Sequence, residues 1–453
     1  MDRHDLVIIG AGPAGEAAAF LARERGASVA VIDRDLFGGA CPFFACMPSK
    51  SLLHSASVHA GGGDYPWAKA SDRRDWMISR EGREYPDDSR HVTDLEEAGA
   101  VALHGTARLD GPGRVVVAHD GIEHELELEA AAVILAIGSE SKIPDMPGLD
   151  AVPYWTNRQA TSTRELPESL LILGAGPTGV ELAQAYARYG VPVTLVVPGQ
   201  RILPRDHPRT SATVAAALQR DGVSIRTGGR AVAAHAGAGS QGRHSFDLDD
   251  GTTVEGSAVL LAIGRTFPLG ELGLDTIGVD ISSGRLSPDD HLRIAPGVFV
   301  VGDAAGPEMH THVSHYQGEM AVRIALGDEV KPDYRAIPRA VYTDPEAGSV
   351  GLLLDAALAR GIDAEELTQD LATTAKGFAA EADGHVTIVI DRRAGTLVGT
   401  FLAGPGASEA VHEAVLAVKL QTPLAVLADT IHAFPTVARV MGTLFAQAAK
   451  RTV

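Results

Sequence analysis

Cys41 and Cys46 are the only cysteines in a chain of 453 residues, and four residues separate them. They sit in Gly38-Gly39-Ala40-Cys41-Pro42-Phe43-Phe44-Ala45-Cys46-Met47-Pro48-Ser49-Lys50. Two thiols this close form a small, reducible disulfide if the chain bends suitably. So short a loop adds little stability through chain entropy, which points to redox chemistry as the reason for the pair. A thiolate near a helix N-terminus would gain reactivity from a lowered pKa. The alternative is two buried, inert cysteines. A disulfide-stapled secreted scaffold is excluded by number, and a structural zinc site would need further ligands.

The cysteines follow an element that can hold a nucleotide. Leu6–Ile9 reads as a short apolar strand, Gly10-Ala11-Gly12-Pro13-Ala14-Gly15 as a turn, Glu16–Arg25 as a helix and Ser28–Ile32 as a second strand, closed by Asp33. Gly10 permits the tight turn, Gly12 lets the backbone approach a pyrophosphate, and Gly15 lets helix and strand pack closely. The helix N-terminus then offers unpaired N–H groups to phosphate, and Asp33 can bind ribose hydroxyls. The pattern returns 164 residues later: strand Ser169–Leu173, turn Gly174-Ala175-Gly176-Pro177-Thr178-Gly179, helix Val180–Tyr189, strand Pro192–Val197. At the position of Asp33 this second copy carries Val197. The missing carboxylate, with Arg201 and Arg205 just beyond, favours NADPH over NADH; the alternative is solvated loop charge on both arginines.

Length calls for several domains, about 100–200 residues each. Fifty glycines and 5% aromatics suit an α/β protein rich in tight turns. With 58 acidic and 39 basic residues, the net charge of −19 argues against binding nucleic acid or anionic membrane. No apolar run reaches the roughly 18 residues of a membrane span, so a cytoplasmic location is expected. Residues 61–90 read as irregular, with a helix around Trp67–Met77. Val115–Val117, Val133–Ile137, Val259–Ile263 and Val298–Val301 read as strands. From about Lys331 the strands His385–Asp391 and Leu397–Ala403 and the helices Glu409–Leu420 and Val440–Lys450 make an α+β unit.

These motifs together resemble the class I pyridine nucleotide–disulfide oxidoreductases, which include dihydrolipoamide dehydrogenase, glutathione reductase and mercuric reductase. The family's GG-x-C-x4-C-x-P-S-K run is present. So are similar segments at Ala136-Ile137-Gly138-Ser139, Leu261-Ala262-Ile263-Gly264-Arg265, Val300-Val301-Gly302-Asp303, Tyr342–Glu346 and Gly404–Glu409. The resemblance covers nearly the whole chain. It implies two Rossmann-like domains and a C-terminal dimerisation domain: FAD-binding at 1–150 and 265–330, NAD(P)-binding at 151–264, and dimerisation at 331–453. It implies FAD and NAD(P)H as cofactors and a homodimer. By matching position, Cys46 is the thiol beside the flavin and Cys41 the interchange thiol. Lys50 and Glu181 are the pair near flavin N5, Asp303 the ligand of the ribityl chain, and Thr311, His312 and Val313 the lining of the pyrimidine end. Gly138 and Gly264 fall in matching cofactor-binding segments. Electrons would pass from nicotinamide through flavin to the Cys41–Cys46 disulfide and on to a small oxidised substrate.

One departure stands out. The family's disulfide reductases carry a C-terminal acid–base histidine with an orienting glutamate. Phe434 stands at the histidine position and Arg439 at that of the glutamate. Phenylalanine moves no proton, and general acid–base catalysis is worth about 10²–10⁴-fold. Two alternative readings therefore accompany the main one: direct reduction of a quinone or metal ion by the flavin, and a flavin-bearing redox sensor. His432, two residues before Phe434, is either a substitute base or a packed histidine. His310, His312 and His315 could ligate a metal, but they fall in the flavin-lining segment, and no metal is expected.

Overall fold

A computed structural model describes residues 2–79, 85–119 and 125–452. Met1, Val453 and part of the stretch expected to be irregular, 80–84, lie outside the described residues. The chain forms two compact units: 2–49, 71–142 and 264–333 in the first, and 50–70, 143–263 and 334–452 in the second. The division falls inside the helix Cys46–Ala60.

The first unit is built on a sheet whose central strand, Asp2–Ile9, lies parallel between Val29–Asp33 and Leu126–Leu135. Val298–Val300 and Val101–His104 extend it on either side. Alternate residues of the central strand feed two cores. Leu6 and Ile8 pack with Ala14, Ala18 and Ala22 of the helix Pro13–Glu24, while Val7 and Ile9 pack with Val115, Val133 and Leu135. The second half of this strand, Leu6–Ile9, is covered on both faces and apolar without interruption, which is why it reads so plainly in sequence; the polar, mostly exposed first half, Asp2–Asp5, does not. The helix Thr311–Ala325 seats against the alanine stripe, so closely that a Cβ on Gly318 would come within 2.2 Å of the Ala14 carbonyl oxygen.

The second unit contains a four-stranded parallel sheet ordered Ser224–Thr227, Val193–Val197, Leu170–Leu173, Ala258–Leu261. Its core takes Val180, Leu182, Ala183 and Tyr186 from the helix Pro177–Arg188. A five-stranded antiparallel sheet runs Pro338–Val341, Ala347–Gly351, Thr396–Ala403, His385–Asp391, Ala364–Asp370. The helices Ala407–Leu420 and Val437–Ala448 share its apolar core.

Several boundaries move for local reasons. The strand expected at Val133–Ile137 ends at Leu135, and the Ala136 amide makes the last bond of the pairing, to the Ile9 carbonyl. The last helix starts three residues before the expected Val440, where the Thr436 hydroxyl accepts from the Arg439 amide and caps it. The helix expected around Trp67–Met77 runs Trp67–Ser79, and a second, unexpected helix, Ser89–Glu97, begins at the end of the stretch read as irregular. The second buries Leu95 alone among mostly polar neighbours, which hid its periodicity.

Candidate active site

The two glycine turns have the same build. Each opens with a glycine in the left-handed region, Gly10 at φ 105° and Gly174 at φ 108°. A Cβ on either would come within 2.3 Å of a backbone carbonyl on the neighbouring strand's exit, Ala136 or Ala262. Gly15 and Gly179 are pressed just as hard against the carbonyls of Gly10 and Gly174. The middle glycines are different. A Cβ on Gly12 would meet nothing nearer than 4.0 Å, and one on Gly176 nothing at all within 4 Å. No side chain caps either following helix. Each turn therefore leaves open ground before uncapped helix amides, which fits a pyrophosphate. Positions Gly138 and Gly264 are open as well.

Asp33 closes the first turn. Its carboxylate accepts from the amides of Ala11 at 2.6 Å and Asp35 at 2.8 Å, while burial pushes its pKa up. At the end of Val298–Val300, Asp303 accepts from the Ser139 hydroxyl, and the Arg265 guanidinium stands 3.5 Å away. Ser139 is held in turn by Arg265, through both its hydroxyl and its carbonyl. Ser139 and Arg265 had appeared in sequence only inside matching segments; the structure makes them the support for Asp303.

Cys41 lies in the short helix Ala40–Phe44, and Cys46 is the first residue of the helix Cys46–Ala60. Both are free thiols, in hydrogen-bonding contact with each other. That contact first, and then burial, push the Cys41 thiol well above its ordinary range. The Thr311 hydroxyl donates to Cys41 Sγ at 3.2 Å and lies 3.3 Å from Cys46 Sγ. Thr311 was expected only as cofactor lining; its spacing in sequence gives no hint of this reach across 265 residues and more. The Gly38 amide donates to the Ala11 carbonyl, and a Cβ on Gly39 would come within 2.8 Å of Gly12 Cα. These contacts set the cysteine segment against the first glycine turn. His312 and Val313 follow Thr311 in the first turn of its helix. The rings of His310 and His312 stack at 5.0 Å, and His310 Nε2 lies 3.1 Å from Glu308. With His315 they do not converge; among the described residues the grouping with metal-ligand spacing is Asp289, Asp290 and His291 on the surface.

In the second unit, Lys50 Nζ donates to Glu181 Oε2 at 2.8 Å. Glu181 is 4% exposed, and its other oxygen accepts from the Tyr342 amide at 3.0 Å. The ammonium also stands 4.6 Å from the Tyr342 ring centroid. Charge pairing, a backbone donor and an aromatic face together make burial of the carboxylate tolerable.

One expected cofactor ligand is placed otherwise. Arg201 is not available to a cofactor phosphate. Its guanidinium donates to the carbonyls of Leu203, Pro204 and Asp206 and to the Ser211 hydroxyl, bracing its own loop. Arg205 is exposed, with no side-chain partner among the described residues. His432 is no exposed base: its side chain is 4% exposed, with Nε2 held by Glu413 at 2.8 Å. Phe434 is 74% exposed.

Two dinucleotide folds, a thiol pair beside the first glycine turn and a buried glutamate paired with a lysine define a dithiol flavoprotein reductase. The chain belongs to the pyridine nucleotide–disulphide oxidoreductase family, whose model matches residues 4–318, and its dimerisation domain matches residues 337–445. It is an FAD-dependent pyridine nucleotide–disulfide oxidoreductase. Dihydrolipoyl dehydrogenase of Halobacterium salinarum is 32% identical over 95% of this chain and 93% of its own. Mercuric reductase of Streptomyces lividans is 31% identical over 97% of this chain and 94% of its own. Among solved structures, LpdA of Mycobacterium tuberculosis superposes with a TM-score of 0.87 at 27% identity, covering 100% of this chain and 99% of that one. Among the described residues no helix is long and apolar enough to cross a membrane.

Proposed function

We propose that the enzyme relays two electrons from NAD(P)H to the Cys41–Cys46 disulfide, and from the resulting dithiol to a small oxidised acceptor. The observation that carries this is the shared contact of Thr311 with both sulfurs. Bound FAD supplies the two-electron step between nicotinamide and disulfide. Gly10, Gly12, Gly15, Asp33, Gly138, Gly264 and Asp303 would hold it, and Gly174, Gly176 and Gly179 the nicotinamide nucleotide. Thr311, His312 and Val313 would line the flavin.

The protein's own chemistry then follows. Reduction leaves one thiolate and one thiol. Cys41 passes its proton to Cys46 in contact with it and, with the Thr311 hydroxyl donating to its sulfur, attacks a disulfide acceptor, forming a mixed disulfide and releasing one thiolate; that thiolate takes the proton from Cys46, whose sulfur attacks the Cys41 sulfur, restores the Cys41–Cys46 bond and releases the second thiolate. Lys50 and Glu181 hold an ion pair one turn further along the Cys46 helix. The test is Cys41→Ser: NAD(P)H still bleaches the flavin, but acceptor turnover falls to background. Unchanged turnover would remove the thiols from the reaction.

Phe434 supports a second reading of the acceptor. With no proton donor at that position, a thiophilic metal ion, which takes electrons without a proton, suits the site; one relative is named a mercuric reductase. A screen of disulfides, quinones and metal ions separates these. The proposal includes a homodimer in the cytoplasm, where thiols stay reduced. NADPH preference now rests on Val197 and Arg205 alone, and anaerobic titration with each nucleotide decides it.

A further inference from the structure

His91, on the helix Ser89–Glu97, ties the cysteine segment to the helix that follows the first glycine turn. Its Nδ1 lies 2.7 Å from Oε1 of Glu16, in the first turn of that helix. Its ring covers Gly38 so closely that a Cβ there would come within 2.7 Å of it. The same ring meets Phe43 edge-on, with the centroids 5.6 Å apart. Gly38 leads into the cysteine segment, and Phe43 is the buried anchor of the short helix that carries Cys41. Just before Ser89, the Asp88 carboxylate accepts from the Phe37 amide at 2.9 Å, so the head of the same helix also grips the entry to the segment.

The cysteine segment depends on such grips. Five residues form no stable helix alone. Gly38 and Gly39, which precede it, both take positive φ, at 95° and 68°. From the glycine-turn helix the charged group facing His91 is Glu16; its own helix adds Asp94, and Asp88 stands just before it. The cysteine segment faces it with the uncharged Gly38 and Phe43, and His104 on the strand Val101–His104 lies 3.8 Å from Asp88. The bond to Glu16 pushes the imidazole's pKa up; burial opposes the rise, and the charges of Glu16, Asp94 and Asp88 add to it. The bond is therefore charge-assisted below that raised pKa and loses its charge as the pH rises through it.

We propose that His91, bonded to Glu16, is a positioning residue for the thiol pair: it holds the short helix so that the Cys41 and Cys46 sulfurs stay within bonding reach of each other. This rests on the relay reading in one respect, that the Cys41–Cys46 disulfide is a working state. Loosening the grip lowers the effective concentration of one thiol at the other. Exchange with an external dithiol then shifts toward the open, reduced form.

The test is that exchange equilibrium, measured on FAD-loaded protein with neither nicotinamide nor acceptor present. Dithiothreitol reduces the Cys41–Cys46 disulfide to two thiols and itself becomes a cyclic disulfide, so electrons and protons balance. Maleimide trapping and mass spectrometry give the reduced fraction. His91→Phe keeps a ring over Gly38 and against Phe43 but cannot bond Glu16. Glu16→Gln removes the charge from the other side, and carries the test alone if His91→Phe fails to fold. Each is expected to shift the equilibrium constant toward dithiol by about 2–10-fold at pH 6, the worth of one hydrogen bond. The double variant should shift no further than either single one. The difference from wild type should narrow as the pH rises toward 9 and His91 loses its proton, a signature that a role in bulk stability would not produce. The inference is overturned if the single variants match wild type at pH 6, if their shifts add in the double variant, or if the difference is as large at pH 9. A wild-type protein whose two thiols never form a disulfide would overturn the relay reading and this inference with it, whereas unshifted variants overturn this inference alone.

Discussion

The Thr311 hydroxyl donates a hydrogen bond to the Cys41 sulfur at 3.2 Å. Such a donor stabilises the thiolate and so pulls the Cys41 pKa down, against the contact with Cys46 and the burial that push it up. Thr311→Val removes the donor with little change in volume. A hydrogen bond to a charged group is worth about 1.5–3 kcal/mol, which is roughly one to two pH units. The alkylation rate of the reduced protein with iodoacetamide should therefore shift to higher pH by about that much, and Thr311→Ser should restore it. A pH profile identical to wild type would leave the hydroxyl without a role.

Glu181 is buried and bonded on both oxygens, to Lys50 and to the Tyr342 amide. Glu181→Ala leaves an ammonium and a backbone N–H without their acceptor. Breaking a fully buried pair costs about 3–5 kcal/mol; with Lys50 at 35% exposure, about 2–3 kcal/mol is expected in urea unfolding. Adding Lys50→Met to Glu181→Ala should recover part of the loss, since the stranded charge goes with it. Additive effects would count against coupling.

Gly12 and Gly15 should part company when each is changed to alanine. At Gly15 the new methyl would come within 1.9 Å of the Gly10 carbonyl oxygen, so the fold itself must give. A loss of about 1–3 kcal/mol is expected there, as for other overpacked sites. At Gly12 the methyl enters open ground, so apoprotein stability should hold while FAD retention falls. Equal losses of stability in the two apoproteins would remove the distinction.

His385 makes the second unit acid-sensitive. It is 2% exposed, bonded to Thr210 and Thr387, with the His207 ring 5.4 Å away. Burial first, then the charges of His207 and Arg209, hold its pKa at about 3, against 6.5 in the unfolded chain. Its folded pKa is depressed, so the unfolded state binds the extra proton between these values. Stability is complete above about pH 6.5 and falls as the pH drops toward 3, by at most ~1.4 kcal/mol per pH unit. Urea midpoints at pH 7.5 and pH 5 should differ accordingly, and His385→Gln should flatten the difference.

The glycine turns, their strands and the cysteine segment were legible in the sequence because their demands are local. Gly10 must turn, Gly12 must leave room, and Leu6–Ile9 must be apolar on both faces. The finer site was not legible, because its partners meet only in space. Nothing near Arg201 signals that Leu203, Pro204 and Asp206 will turn their carbonyls onto its guanidinium. Nothing near Thr311 signals two sulfurs more than 260 residues away. His432 read as an open question of base or packing, and Glu413 answers it from the helix Ala407–Leu420.

Between the two cysteines the backbone breaks at Ala45, at φ −130° and ψ −97°, so each sulfur belongs to a different helix. Cys46 heads fifteen residues, and Cys41 rides on only five. Five residues have little helical stability of their own, and fifteen form several turns. Cleaving the bond between the sulfurs thus unties a light arm from a rigid post. The proposed relay would use this difference in stiffness, with Cys41 as the sulfur that trades partners and Cys46 as the one that waits.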